Sequence, residues 1–208
     1  MKLDTLIKIY KCIGLRRIKQ FLTYNIPYQN DTVNEYAGTV DELEFEGLVG
    51  LAKKAEGVSA NGVIIEIGAL FGLSTQAILE GSKNNKVITI DNFGWNPIGL
   101  TGVRHEQLLR ANLRYFTRQD RLQIYKGSSS SYLENIYSGE KVSMVFIDAD
   151  HSYEGVLKDI NFAEAVNACI VCGDDYSFPG VSRAVNERYG DLVSCIGDMW
   201  WIERQVSK

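Results

Sequence analysis

From residue 63 the chain repeats one unit: a short apolar run, a turn, then a stretch with helical spacing. Val63–Ile67 (VIIEI) is almost unbroken in apolar character, as a strand covered on both faces must be. Four more runs follow, at Val87–Ile90, Leu122–Tyr125, Val142–Ile147 and Cys169–Cys172. Between and after them the spacing predicts helices over Leu73–Gly81, Arg104–Phe116, Ser130–Tyr137, Tyr153–Val166 and Val181–Tyr189. Strands alternating with helices imply right-handed crossovers and a parallel sheet with helices on both faces. The chain then closes differently. Leu192–Ile196 and Met199–Glu203 flank Gly197-Asp198, a two-residue link suited to a tight hairpin. The expected fold class is therefore α/β: a Rossmann-like, mostly parallel seven-stranded sheet with a C-terminal antiparallel hairpin.

An open parallel sheet binds its ligands beyond the carboxyl ends of its strands, at the point where strand order reverses. Those ends are polar in every case. Strand 1 ends on Glu66, Gly68 and Gly72, and strand 2 on Asp91 and Asn92. Strand 3 ends on Gly127 and Ser128, strand 4 on Asp148, Asp150 and His151, and strand 5 on Asp174, Asp175 and Tyr176. The turn Glu66-Ile67-Gly68-Ala69-Leu70-Phe71-Gly72 opens a helix whose free N–H groups favour an anionic ligand group. It lacks both the Gly-x-Gly-x-x-Gly dinucleotide spacing and the Lys-Ser/Thr of a phosphate loop. That leaves a smaller nucleoside ligand carrying a carboxylate, with Asp91 placed to accept hydrogen bonds from two ribose hydroxyls. Tight packing alone would also explain the glycines.

The same segments, EIGALFGLST at 66–75, Asp91, Gly127-Ser128, VFIDADHSY at 145–153 and GDDY at 173–176, resemble a class I S-adenosylmethionine-dependent methyltransferase over roughly residues 40–205. The nearest kinds are small-molecule O-methyltransferases of the catechol and caffeoyl-CoA type and bacterial sugar O-methyltransferases. The resemblance implies that Glu66, Gly68 and Ser74 hold the methionine end of the cofactor, Asp91 the ribose and Gly127-Ser128 the adenine. The implied cofactor set is Glu66, Gly68, Ala69, Gly72, Ser74, Asp91, Asn92, Gly127, Ser128 and Asp148. It also implies a divalent cation such as Mg²⁺ on Asp148, Asp174 and Asp175, with Asp175 standing where many relatives carry Asn. Crowded carboxylates do favour a cation or a proton between them. Otherwise Asp148 orients the cofactor amine, and Asp174 and Asp175 cap a helix. His151 stands where the catechol type keeps a lysine base. An imidazole there takes a hydroxyl proton at neutral pH, with Asp148 beside it, or merely caps the helix near Tyr153.

The expected activity is methyl transfer to a hydroxyl of a small molecule, such as a sugar or natural-product intermediate. Two alternatives stand beside it: a metal-dependent glycosyltransferase using Asp148-Ala149-Asp150, and a non-catalytic binding protein on the same fold.

Charge separates the chain into two parts, residues 1–40 as a helical arm and 41–208 as the catalytic domain. Residues 1–20 carry six Lys and Arg against Asp4, a net +5, in a chain whose formal net charge is −4; the remainder is −9. That balance excludes nucleic-acid binding by bulk charge. Leu3, Leu6, Ile7, Tyr10 and Ile13 recur at helical spacing in the arm. The arm is expected to pack across a homodimer, with a membrane surface or an acidic partner as the alternative. No apolar run reaches the roughly 18 residues of a membrane span. Lys8, Lys11, Arg16 and Arg17 break any signal-peptide core. Four cysteines (Cys12, Cys169, Cys172, Cys195) are too few for a disulfide framework, so the expected setting is cytoplasmic. Cys169 and Cys172 lie on opposite faces of a strand, which excludes a shared zinc.

Overall fold

The computed structural model describes residues 42–97 and 99–204, and the N-terminal arm of residues 1–40 lies outside the described residues. The elements run α1 (Glu42–Val58), β1 (Val63–Ile67), α2 (Leu73–Gly81), β2 (Lys86–Asp91), α3 (Gly102–Asn112), α4 (Arg114–Arg118) and β3 (Leu122–Lys126). They continue with α5 (Ser129–Asn135), β4 (Val142–Ile147), α6 (Tyr153–Ala165), β5 (Ile170–Gly173), α7 (Pro179–Tyr189), β6 (Ser194–Ile196) and β7 (Met199–Glu203). The seven strands form one sheet in the order β3-β2-β1-β4-β5-β7-β6. All pairings are parallel except β5–β7 and β7–β6. The expected fold class holds, hairpin included.

The pleat sends successive residues of each central strand to opposite faces. Ile64, Met144, Phe146, Ile170 and Cys172 join Phe45, Leu48 and Ala52 of α1, Leu79 of α2 and Leu109 of α3. Ile65, Ile67, Val145, Ile147 and Val171 join Tyr132 of α5, Ile160 and Phe162 of α6 and Val185 of α7. The unbroken apolar runs exist because both faces need cover.

Two elements depart from expectation. Helix α1 was not anticipated, although Phe45, Leu48, Ala52 and Ala55 recur at its buried stripe. The single helix expected over Arg104–Phe116 is two, broken at Leu113, whose backbone leaves the helical region (φ −98°, ψ 7°) and whose side chain is fully buried.

Strand order reverses between β1 and β4, and the ladder is extended past the strand ends to hold the ligand-side loops. The Gly68 N–H donates to the Ile90 carbonyl (2.9 Å), Gly127 N–H to Asp91 (3.0 Å), Asp148 N–H to Ile67 (2.8 Å) and Asp174 N–H to Ile147 (3.2 Å).

Candidate active site

A cleft of about 1080 Å³ opens at these carboxyl ends and spans the reversal point. On the β1–β2–β3 side it is lined by Gly68, Leu70, Asp91, Asn92, Trp95, Gly127 and Ser128. On the β4–β5 side it is lined by Asp148, Asp150, His151, Lys158 and Asp175. The volume slightly exceeds what a single ligand of ordinary size fills.

The loop between β1 and α2 is held in an unusual backbone path. Gly68 (φ +88°), Leu70 (φ +45°) and Gly72 (φ +90°) all have left-handed torsions. At Gly68 a Cβ would sit 2.0 Å from the Asp148 carbonyl oxygen, so only glycine lets β1 and β4 close this tightly. Polar partners fix the loop from several directions. Asp91 Oδ2 accepts from the N–H groups of Ala69 (3.0 Å) and Leu70 (3.2 Å), and Oδ1 from Phe93 (2.6 Å). His105, 1% exposed, contacts the Leu70 carbonyl through Nε2 at 2.7 Å, with its ring between Phe71 and Phe93. Asn112 donates to the Phe71 carbonyl at 2.9 Å.

Glu66 does not reach the cleft. It is fully buried behind the loop, accepting hydrogen bonds from the hydroxyls of Ser74, Thr75 and Thr89. Burial raises its pKa to about 7 against the pull of those hydroxyls, with the Asp148 charge adding to the rise. Ser74, Ala69 and Gly72 likewise stand behind the lining; a Cβ on Gly72 would press on Leu109 and Leu113 of α3 and the break. Of the ten residues expected to touch the cofactor, Gly68, Asp91, Asn92, Gly127, Ser128 and Asp148 line the cleft, and Glu66, Ala69, Gly72 and Ser74 do not. Ser128 is also the N-cap of α5, forming a reciprocal capping box with Ser131. Two hydrogen bonds already occupy Oδ2 of Asp91 and one occupies Oδ1, so one acceptor position remains, on Oδ1.

The opposite wall is carboxylate-rich. Nε2 of His151 lies 3.0 Å from Oδ2 of Asp175 and 3.5 Å from Oδ1 of Asp148. One ligand atom from each of these three residues falls within 4.8 Å of the others, a group that could hold a metal ion. Asp148 and the charges of Asp175 and Asp150 hold the imidazole pKa above its ordinary value, against burial. Asp175 takes a left-handed torsion (φ +59°), and burial pushes its carboxyl up while His151 pulls it down.

Asp174, expected as a third ligand beside Asp148 and Asp175, is not in that group. It is 3% exposed and neither carboxylate oxygen has a hydrogen-bond partner. Burial drives its pKa far up, reinforced by Asp148, Glu44 and Asp175. Asp150 leans over the first turn of α6, accepting from Ser152 N–H at 2.9 Å, with its carboxyl 2.5 Å from where a Cβ on Gly155 would lie. It therefore does not pair with Asp148 as a two-aspartate metal motif would require.

Sequence reasoning missed Glu44 of α1, which also lines the cleft and accepts from the Asp198 N–H (2.8 Å) in the β6–β7 turn. Asp198 in turn takes hydrogen bonds from the backbone and hydroxyl of Ser177, two residues beyond Asp175. No spacing rule links residue 44 to residue 198. Of the Trp200-Trp201 pair, Trp200 is fully buried and Trp201 is half-buried at the rim. Cys169 and Cys172 are buried free thiols. Among the described residues no helix is long and apolar enough to cross a membrane.

Residues 65–176, more than half of the chain, match the family model described as a methyltransferase domain. No curated protein sequence matches the chain significantly. Among solved structures, the chain is similar to an O-methyltransferase from Bacillus cereus in complex with SAH (TM-score 0.60, 18% identity, 98% of this chain and 92% of that one). It is similar also to a protein from Corynebacterium glutamicum (TM-score 0.65, 13% identity, 100% and 99%). A third is the O-methyltransferase TomG from Streptomyces achromogenes, involved in tomaymycin synthesis, in complex with SAM (TM-score 0.56, 13% identity, 98% and 90%). At these identities the structural likenesses establish the fold.

Proposed function

Because the chain belongs to the methyltransferase-domain family, we propose that it transfers a methyl group from S-adenosylmethionine to a hydroxyl of a small molecule, assisted by a divalent cation. One observation carries this: the cleft joins two chemically different walls across the β1/β4 reversal point. The family match favours this over the nucleotide-sugar reading, as does the Asp150 side chain turned onto α6.

The residues that would hold the cofactor are Gly68, Asp91, Asn92, Gly127 and Ser128. They fit, because all five line the cleft and Asp91 keeps an acceptor position on Oδ1. Glu66, Ala69, Gly72 and Ser74 then act by fixing the loop. S-adenosylmethionine supplies a methyl group already activated on a sulfonium, so the protein need only align an oxygen behind it. The opposite wall fits a cation on one observation, the convergence of Asp148, His151 and Asp175. A bound divalent cation there would favour the deprotonated form of the acceptor oxygen. Asp148 and Asp175 present anionic oxygens toward that point. The His151 imidazole can take the acceptor's proton or ligate the cation, and one nitrogen cannot do both. The reading includes a cytoplasmic setting and a homodimer through residues 1–40, supported by cysteine usage and the apolar stripe of the arm.

Calorimetry with S-adenosylhomocysteine and UDP tests the cofactor, with heat expected from the first alone. An acceptor panel of sugars and phenols, run with and without EDTA, tests the chemistry. Methyl transfer should stop in EDTA and return with excess divalent cation. No heat with S-adenosylhomocysteine would refute the function, and full turnover in EDTA would refute the cation.

A further inference from the structure

We propose that His151 is a nitrogen ligand of the cation, completing a set with Asp148 and Asp175, and that the site takes a first-row transition-metal ion in preference to Mg²⁺. This rests on the cation reading above and deepens it. Nε2 of His151 faces the two carboxylates, 3.0 Å from Asp175 and 3.5 Å from Asp148. Two ligand atoms about 2.1 Å from a shared ion are about 3.0 Å apart at a right angle and about 3.4 Å apart at the tetrahedral angle. The observed separations, those of an ion pair when no metal is bound, also match neighbouring positions on one ion.

The neighbourhood fixes the imidazole in that direction. The edge of the Phe178 ring packs on it, with centroids 5.2 Å apart at 67°. Behind it, the His151 carbonyl oxygen lies 2.3 Å from where a Cβ on Gly180 would be, so the start of α7 is pressed against this backbone. Ligand side chains held by surrounding packing bind without paying to be ordered. The donor set decides the ion. Imidazole suits Mn²⁺, Fe²⁺, Co²⁺ and Zn²⁺, whereas Mg²⁺ prefers oxygen and retains its waters. A lysine at position 151 could not ligate while charged, so the histidine changes the chemistry of the cluster.

The test uses the full chain freed of metal, titrated with Mn²⁺ and separately with Mg²⁺. Bound Mn²⁺ should show nitrogen modulation in pulsed EPR. His151→Ala should abolish that signal and weaken Mn²⁺ binding by about tenfold or more, with the Mg²⁺ constant changing less than about threefold. His151→Gln, which keeps the bulk of the side chain, should do the same and guards against misfolding. Mn²⁺ bound by the wild type without nitrogen modulation, and equally well by both variants, would overturn the inference while leaving the cation on the carboxylates. Binding of neither ion by the wild type would overturn the cation reading itself, and the inference with it.

Discussion

Replacing Glu66 by Gln should change how stability depends on pH more than it changes stability at any one acidic pH. Glu66 is fully buried and its pKa is raised from 4.5 to about 7. Below pH 4.5 the carboxyl is protonated both folded and unfolded, so it exerts no pH effect. Between 4.5 and 7 the unfolded chain ionises and the folded one resists, so the folded state loses stability as pH rises. Above 7 both are ionised and the loss is complete. A shift of this size corresponds to about 3 kcal/mol. For a domain of this length that is on the order of 6–12 °C in melting temperature. Gln removes the titration and keeps an oxygen acceptor. The hydroxyls of Ser74, Thr75 and Thr89 can rotate to donate to its oxygen or accept from its nitrogen. Urea unfolding of both proteins from pH 5 to 8.5 is the assay, with metal and cofactor absent. Part of the loss has already occurred at pH 5, so the wild type should lose about 2.5 kcal/mol more than Glu66→Gln across that range, bringing the two curves together or across one another. Parallel curves would mean that Glu66 is not a buried titrating group, and the account of the loop as held from behind would fail.

Two further substitutions probe the same loop. Gly68→Ala places a methyl 2.0 Å from the Asp148 carbonyl oxygen in a backbone with φ +88°; it should destabilise the fold by at least about 1–3 kcal/mol and weaken S-adenosylhomocysteine binding, and a wild-type melting curve would refute the close approach. Asp91→Ala leaves the N–H groups of Ala69, Leu70 and Phe93 without their acceptor; calorimetry should show cofactor affinity falling by about 1–3 kcal/mol, and an unchanged constant would mean that Asp91 serves neither loop nor ligand.

The strands and their order of chemistry were legible because burial on both faces leaves an apolar run that a single sequence cannot disguise. The polar strand ends were legible for the same reason: a Glu or Asp closing such a run has to be there for something. What was not legible is which way each one turns. Parity along β1 would have located Glu66, since Ile65 and Ile67 face α6 while Ile64 faces α2, putting Glu66 on the α2 side with Ser74 and Thr75. The role of His105 is not legible in sequence because its partner is a backbone carbonyl 35 residues earlier, a group that every residue carries. Glu44 and Asp198 meet only through tertiary packing, 154 residues apart. The split of α3 from α4 reflects the burial of Leu113, which no breaker residue marks.

The two walls of the cleft differ in how far they are satisfied before any ligand arrives, and that difference bears on mechanism. On the loop side Asp91, His105 and Asn112 between them take up two N–H groups and two carbonyls of residues 69–71, and Glu66 is covered by three hydroxyls. A surface held by its own hydrogen bonds needs no reorganisation on binding, which suits a cofactor that must be presented in one orientation at every turnover. On the opposite side burial leaves Asp174 without hydrogen bonds and crowds Asp148 and Asp175 around a single imidazole. Low dielectric makes such charge costly unless protons or a cation balance it. On the proposed reading, the hydrogen-bonded wall would hold the methyl donor, and the carboxylate wall would stand where the acceptor hydroxyl gives up its proton. An acceptor bound between these walls as proposed would meet a fixed electrophile on one side and a carboxylate cluster on the other, and only the second could respond to an ion or proton held there.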